Sequence, residues 1–290
     1  MGGAAPDILT LLPHPAQDAN KYTRGQLLLI GGSERYPGAA CLAAHASQRC
    51  GAGYVRAYCA PQTVPLLVGR HPSVVAAPWD GLRGAYLPES AEKKPVAYVV
   101  GPGMDVADAK QAALALKVFA EVKAPVLVDG GALGALATGE GRLAAKLRVE
   151  AGLPTVLTPH GGEAARLARA ARLDARELSA DPERFASALS RAYGAVVALK
   201  GPDTWIAQGE RVVCVSEGTA ALAKAGTGDV LAGVIGAFLA QGLDAFDAAY
   251  LGVVLHAHAG CAAEAELTDI AVTPEDVIAH IPRVLKAWGC

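Results

Sequence analysis

The groups in this chain that can do chemistry are a few charged side chains set among glycines. The stretch AKAGTGDVLAG (residues 223–233) places Asp229 behind Gly226, Thr227 and Gly228 and ahead of the apolar run Val230, Leu231, Val234 and Ile235. Two roles are open to such an aspartate: capping the helix that follows, or taking part in a reaction. A cap needs no Gly-Thr-Gly before it. Glycines at 226 and 228 let backbone N–H groups turn toward one point, and the amino end of the next helix adds its own unpaired donors there. An oxyanion fits such an anion hole, formed by Gly226, Thr227 and Gly228. A carboxylate beside it can take a proton from a hydroxyl as a general base. The stretch is not a Walker A loop, which ends in Gly-Lys-Ser/Thr. It is not a dinucleotide fingerprint, because Gly233 falls too late for Gly-x-Gly-x-x-Gly.

Other groups carry paired readings. In TPHGGEAARL, His160 can contact substrate or phosphate, while Glu163 can orient a Mg²⁺-bound water or cap the helix. In LKGPDTWIA, Lys200 is either a point charge for a nucleotide phosphate or a solvated lysine at a turn. In VLVDGG, Asp129 suits a water-mediated Mg²⁺ contact, since Mg²⁺ usually keeps several waters, or it caps a helix from Ala132 onward. Small residues at Gly38, Ala39 and Ala40 admit a flat ligand or permit close strand–helix packing, and Gly101 and Gly103 suit close backbone approach. His14, His45, His71 and His280 are scattered and receive no role. His256 and His258, two apart in a helical pattern, cannot meet on one metal.

These groups need a scaffold that gathers them. Apolar, β-branched runs predict strands at Gln26–Ile30, Tyr54–Cys59, Val96–Val100, Val126–Val128, 155–158 and 195–200. Helical patterns predict helices at 39–51, 107–122, 163–170, Pro182–Tyr193, 229–241, 245–266 and 274–288, the last capped by Thr273. A hairpin with Gly209 at its turn lies between these groups. The alternation predicts an α/β fold, a mostly parallel central sheet with helices on both faces. In such sheets ligands sit beyond the carboxyl ends of the strands. Five glycine-bearing loops fall there, a concentration that predicts one shared crevice.

Composition sets the outer limits. The chain has 290 residues, 52% hydrophobic and 19% charged, with a formal net charge of -2. That suits a large core and offers no electrostatic footing for nucleic acid or an anionic membrane. No apolar run is long enough to cross a bilayer, and no signal-peptide pattern opens the chain. The six cysteines form no Cys-x-x-Cys pair, which predicts reduced, mostly buried thiols in a cytoplasm. Without repeats or a composition break, the expected organisation is an N-terminal segment (1–23) and one domain (24–290).

The motifs RGQLLLIGGSERYPGAA, GAGYV, VVGPGMD, VLVDGGAL, LTPHGGE, LKGPDT and AGTGDVLAGVIGAFLAQG together resemble the ADP/ATP-dependent NAD(P)H-hydrate dehydratases, a branch of the ribokinase-like superfamily. The resemblance runs from about Arg24 to the last helix. It implies a ribokinase-like fold and repair of hydrated NADH or NADPH: a nucleotide phosphorylates the added ring hydroxyl and phosphate then leaves. It implies substrate contacts at Ala40, Gly103, His160 and Asp229, with Asp229 as the catalytic base. The adenine nucleotide, ADP or ATP, would lie along Lys200, Gly201, Pro202, Asp203 and Thr204 and at Gly228, with Mg²⁺ as cofactor. Three positions depart from the family pattern: Gly131 replaces a second aspartate, Gly161 replaces a proline, and Asp105 stands where glycine is common. Many relatives carry an N-terminal epimerase domain. Fewer than 24 residues precede Arg24 here, so an epimerase partner is expected to be a separate protein. A homo-oligomer is also expected from the alanine-rich terminal helices. The competing reading is a kinase of the same superfamily acting on a hydroxymethylpyrimidine or hydroxyethylthiazole precursor. A nucleotide sensor without turnover is a further rival.

Overall fold

The computed structural model describes residues 7–82 and 87–290. Nine strands form one sheet: β1 (Gln26–Ile30), β2 (Tyr54–Cys59), β3 (Val75–Pro78), β4 (Val96–Val100), β5 (Val126–Val128), β6 (Thr155–Leu157), β7 (Val196–Leu199), β8 (Thr204–Gln208) and β9 (Arg211–Val215). Their order is β3-β2-β1-β4-β5-β6-β7-β8-β9. Neighbours from β3 to β7 are parallel, and the β8–β9 hairpin closes one edge antiparallel. The predicted sheet and hairpin are present, with Gly209 at the turn adopting φ 60°.

All side chains of β4, β5, β6 and β7 are buried. That follows from their apolar character on both faces, because each face meets a layer of helices. One apolar layer includes residues of the helices Pro37–Arg49, Thr227–Ala240, Ala245–Leu267 and Pro274–Ala287. The other draws on Ala109–Glu121, Gly131–Leu136, Gly139–Glu150, Gly161–Ala170 and Pro182–Tyr193. Backbones approach closely in the first layer. A Cβ on Gly233 would stand 2.2 Å from the Ala43 carbonyl oxygen, so this glycine of the 223–233 stretch serves helix packing.

The chain order reverses at β1, whose neighbours are β2 and β4. Loops leaving the carboxyl ends of these strands diverge there and open a crevice. They are stitched together at its base: Gly32 N–H donates to Pro102 O at 2.8 Å and Ser33 N–H to Gly103 O at 3.0 Å. At the opposite, amino end of the sheet, Arg148 lies buried at 2% exposure. Its Nε donates to Thr155 Oγ1, Nη1 to the Phe119 and Val122 carbonyls, and Nη2 to those of Ala124 and Pro154.

Several elements went unread in the sequence. β3 is a short edge strand with half-exposed side chains and a proline at its end, so no apolar run announced it. The helix Thr63–Arg70 contains Pro65 and Gly69. The cysteine expectation also needs correction. Cys41, Cys50 and Cys59 are buried, but Cys214 and Cys290 are exposed and Cys261 is half-buried; all are free thiols.

Candidate active site

Three strand ends bring the charged groups together. Asp129 follows β5, His160 follows β6 and Lys200 follows β7. Lys200 N–H donates to Pro159 O at 2.9 Å, which continues the parallel pairing one step past the strands. Lys200 Nζ then reaches Asp129 Oδ1 at 2.8 Å, and the Thr158 hydroxyl donates to the same oxygen at 2.7 Å. Side-chain exposure is 20% at Lys200 and 5% at Asp129, so the pair is largely screened from water. Asp129 therefore does not cap the next helix, whose cap position is Gly130 with no side-chain bond.

The helix Thr227–Ala240 aims its amino end at this pair. Gly226 caps it in the left-handed region (φ 99°) with no side-chain acceptor. The Thr227 hydroxyl turns back to the Leu222 and Lys224 carbonyls, and its N–H meets Lys224 O at 3.3 Å. The N–H groups of Gly228 and Asp229 remain free, as helix geometry requires of a first turn. A Cβ on Gly228 would lie 3.4 Å from Lys200 Nζ, so the ammonium sits directly beside this turn.

Charge crowding follows. Burial pushes the Asp229 carboxyl up to about 7; the charges of Asp129 and Glu163 add to the rise and Lys200 opposes it. Burial also raises Glu163, with Lys200 opposing and Asp129 adding to the rise. Burial disfavours the Lys200 ammonium, but Asp129, Glu163 and Asp229 outweigh it and hold its pKa above the ordinary lysine range. A carboxyl poised near neutrality beside unpaired amides and an ammonium can accept a proton while an anion is held.

His160 and Glu163 resolve into a turn. Gly162 N–H donates to His160 Nδ1 at 3.1 Å, and His160 N–H donates to Glu163 Oε2 at 2.9 Å, closing a capping box. The imidazole keeps 59% exposure, so its edge is free to meet a ligand. Among the described residues no group of three His, Cys, Asp or Glu side chains converges as a metal centre. Asp129 and Glu163 supply hard oxygen donors, which fit Mg²⁺ only through its waters or through a ligand's phosphates.

The other predicted residues divide. Gly201, Pro202 and Thr204 line a cavity of about 590 Å³ between the β7–β8 turn, residues 215–223 and the helix Ala245–Leu267. Asp203 is exposed and does not line it. Gly103 adopts φ 66°, and a Cβ there would stand 2.5 Å from Tyr36 O, so its backbone closes onto the Tyr36–Pro37–Gly38 turn. Ala40 is fully buried with its methyl against Gly32, so only its backbone is available to a ligand. The three departures are also explained. A side chain at 131 would collide with Met104 O at 2.3 Å, whereas position 161 has room for one. Asp105 pairs with Arg35 at 3.3 Å and ties the loop after β4 to the loop after β1. Sequence reasoning passed over Thr219, Leu222, Leu231, Val253 and His256, all lining the cavity. Leu231, Val253 and His256 carry only an apolar helical pattern, which core residues share, and Thr219 and Leu222 lie at a short turn without a motif.

The sheet order and strand-end crevice define a ribokinase-like protein. A hydroxyethylthiazole kinase from Pyrococcus horikoshii shares that fold alone, with a TM-score of 0.60 at 16% identity over 95% of this chain and 92% of its own. The chain belongs to the NAD(P)H-hydrate dehydratase family, whose model matches residues 27–283. It is 32% identical to the ADP-dependent (S)-NAD(P)H-hydrate dehydratase of Xanthomonas campestris, over 94% of this chain and 92% of that protein. It is 34% identical to the bifunctional NAD(P)H-hydrate repair enzyme Nnr of Mycobacterium leprae, where it covers 99% of itself and only 56% of the relative. The crystal structure of the ADP/ATP-dependent NAD(P)H-hydrate dehydratase of Bacillus subtilis, co-crystallized with ATP/Mg²⁺, superposes with a TM-score of 0.81 at 27% identity, covering 97% and 96% of the two chains.

Proposed function

We propose that this chain is a nucleotide-dependent NAD(P)H-hydrate dehydratase in which Asp229 acts as the general base. The observation that carries the reading is the Asp229 carboxyl, raised to about 7, at an uncapped helix start beside Lys200. The hydroxyl oxygen on the hydrated ring attacks the terminal phosphorus of ADP or ATP as Asp229 takes its proton. The bond to the leaving nucleotide breaks, releasing AMP or ADP. The free amides of Gly228 and Asp229 and the Lys200 ammonium steady the charge on the moving phosphoryl group. The ring nitrogen lone pair then expels phosphate, and loss of a proton from the neighbouring ring carbon restores the double bond. Hydroxide is a poor leaving group and phosphate a good one, which is why a nucleotide is needed.

His160, Gly103 and the backbone near Ala40 would meet the hydrated dinucleotide, and the cavity lined by Gly201, Pro202 and Thr204 would hold the nucleoside. Asp129 and Glu163 would hold Mg²⁺ through its waters, and the ion would neutralise phosphate charge. The bifunctional relative supports a hydrate epimerase as functional partner. A homo-oligomer and a cytoplasmic setting agree with the reading. Among the described residues no helix is long and apolar enough to cross a membrane.

The test supplies purified protein with hydrated NADH, Mg²⁺ and either ADP or ATP. Return of reduced-nicotinamide absorbance with one phosphate released per turnover is expected. Failure of both nucleotides to restore absorbance, with phosphorylation of a hydroxymethylpyrimidine or hydroxyethylthiazole instead, would replace this reading with the kinase.

A further inference from the structure

The turn that leads to Asp229 borders two cavities. Leu222 and Ala223 line the one assigned above to the nucleoside. Gly226 packs against a different wall: a Cβ there would stand 2.8 Å from Leu42 Cδ1 and 3.0 Å from Pro274 Cγ. Leu42 lines a second cavity, of about 520 Å³, among the helices Pro37–Arg49, Thr63–Arg70 and Pro274–Ala287. One leucine side chain therefore separates this cavity from the anion hole. Gly38 lines it too, on the turn onto which Gly103 closes, and a Cβ at Gly38 would meet nothing within 4 Å. From Gly38 to His45 the helix rises about 10 Å, so the cavity leads from the rim of the crevice down the side of the molecule.

Its far end joins aromatic and cationic groups. His45 and His71, distant in the sequence, bring their ring centroids to 4.5 Å with planes tilted 30°. Burial, with the charges of His71 and Arg49 adding and Glu275 opposing, pushes the His45 pKa down to about 4. Burial and Arg70 lower His71 as well. Both rings are therefore largely neutral near pH 7 and offer flat faces rather than charge. The positive charge comes from Arg70 on the wall and from Arg49, whose field reaches His45. Neither arginine is in an ion pair among the described residues. Glu275 is the one acid among the described residues of the wall.

A neutral ring pair, an unpaired guanidinium and one carboxylate suit a purine that carries phosphate. The hydrated ring at Asp229 is one end of a dinucleotide, and its tail of ribose, pyrophosphate and adenosine needs a seat. The cavity behind Gly201 and Pro202 holds the phosphate donor during turnover, so the tail lies elsewhere. We propose that the cavity beside Leu42 seats the adenosine end of the hydrated dinucleotide, with adenine on the His45–His71 pair and Arg70 on a phosphate of the tail. The inference rests on the placement of the hydrated ring proposed above. Glu275 is an acceptor for the adenine amine. The phosphate met by Arg70 is either the pyrophosphate, common to both hydrates, or the 2′-phosphate carried by hydrated NADPH alone.

Steady-state kinetics with hydrated NADH, hydrated NADPH and hydrated reduced nicotinamide mononucleotide, which lacks the adenosine end, test this. Arg70→Gln should raise the KM for a full-length hydrate about tenfold, the loss of one charge-assisted hydrogen bond, and leave the KM for ADP unmoved. A rise for both hydrates assigns the pyrophosphate, and a rise for hydrated NADPH alone assigns the 2′-phosphate. Arg70→Lys should keep part of the affinity. His45→Ala and His71→Ala should raise the KM for both hydrates severalfold. None of these variants should change the kinetics of the mononucleotide. A KM that rises equally for the truncated substrate, or full-length KM values that stay put in all the variants, overturns the proposal. So does a change of oligomeric state without a KM shift, which would make the cavity a contact between copies. If the truncated substrate is not turned over, the split between the hydrate and ADP KM values decides. Unaltered protein that restores none of the three substrates overturns the dehydratase reading itself; turnover without a KM shift in the variants overturns the adenosine seat alone.

Discussion

Two buried cations hold this molecule, and they are satisfied in opposite ways. Arg148, at the amino end of the sheet, has no carboxylate partner. Its five N–H donors meet four carbonyls and one hydroxyl. Burial lowers its pKa to about 10, and all five of its donors are used. Lys200, at the carboxyl end, faces three carboxylates and bonds directly to one. Its remaining donors point toward a helix start whose amides are also unsatisfied. A cation whose hydrogen bonds are complete is a fastener. One left with surplus donors among surplus acids awaits a ligand, and the difference separates structure from chemistry without reference to conservation.

The largest effect expected is at Asp229. Asp229→Asn should lower turnover by about 10²–10⁴ with little change in nucleotide affinity, read by absorbance recovery and by calorimetry. In the unaltered enzyme kcat/KM should climb as pH rises through about 7, where the carboxyl loses its proton. Stability should move the other way. The folded state keeps a proton that the unfolded chain gives up between 3.8 and about 7, so this group's contribution falls as pH climbs through that window. Asp229→Asn should flatten that part of the stability profile. Near-normal turnover in this variant would place the reactive end elsewhere.

Arg148→Met tests the fastener. It strands buried carbonyls on two segments, and a loss of about 3–5 kcal/mol in unfolding free energy is expected. The KM values for both substrates should stay put in whatever protein remains folded. Lys200→Ala should show the reverse balance: a KM for nucleotide raised about tenfold and more than the KM for hydrate. Because Lys200 opposes the rise at Asp229, its loss should also push the pH–rate midpoint above about 7. Equal effects on both KM values, or an unmoved pH midpoint, would make Lys200 a second Arg148.

Most of this contrast was legible in the sequence on one side only. Asp129, His160 and Lys200 each stand where an apolar run ends, and Asp229 stands behind glycines where one begins, so strand-end and helix-start chemistry could be read before any coordinates. Arg148 could not, because a lone arginine in a helical stretch looks solvated and its acceptors come from two separate segments, one of them more than twenty residues away. His256 was hidden for a related reason. Its place on the cavity wall arises only when β8, β9 and the long helix close around it. The role of Glu163 was left open between cap and ion contact, and the capping box supplies the first without removing the second.

Glu163→Gln separates those two roles, with the smallest effect of the set. Glutamine can still accept from His160 N–H, so the box and the thermal midpoint should survive. The substitution removes a negative charge that helps raise Asp229, so the pH–rate midpoint should drop by roughly half a unit. If Glu163 only caps, the Mg²⁺ concentration for half-maximal rate should not move. A severalfold rise in that concentration would mean that its carboxylate charge reaches the ion through water, since a neutral amide keeps the turn but loses the attraction. The half-unit shift is the internal control: its absence would show that Glu163 is too well neutralised by Lys200 to act on either Asp229 or an ion, and would extend the fastener's logic to the carboxyl end of the sheet.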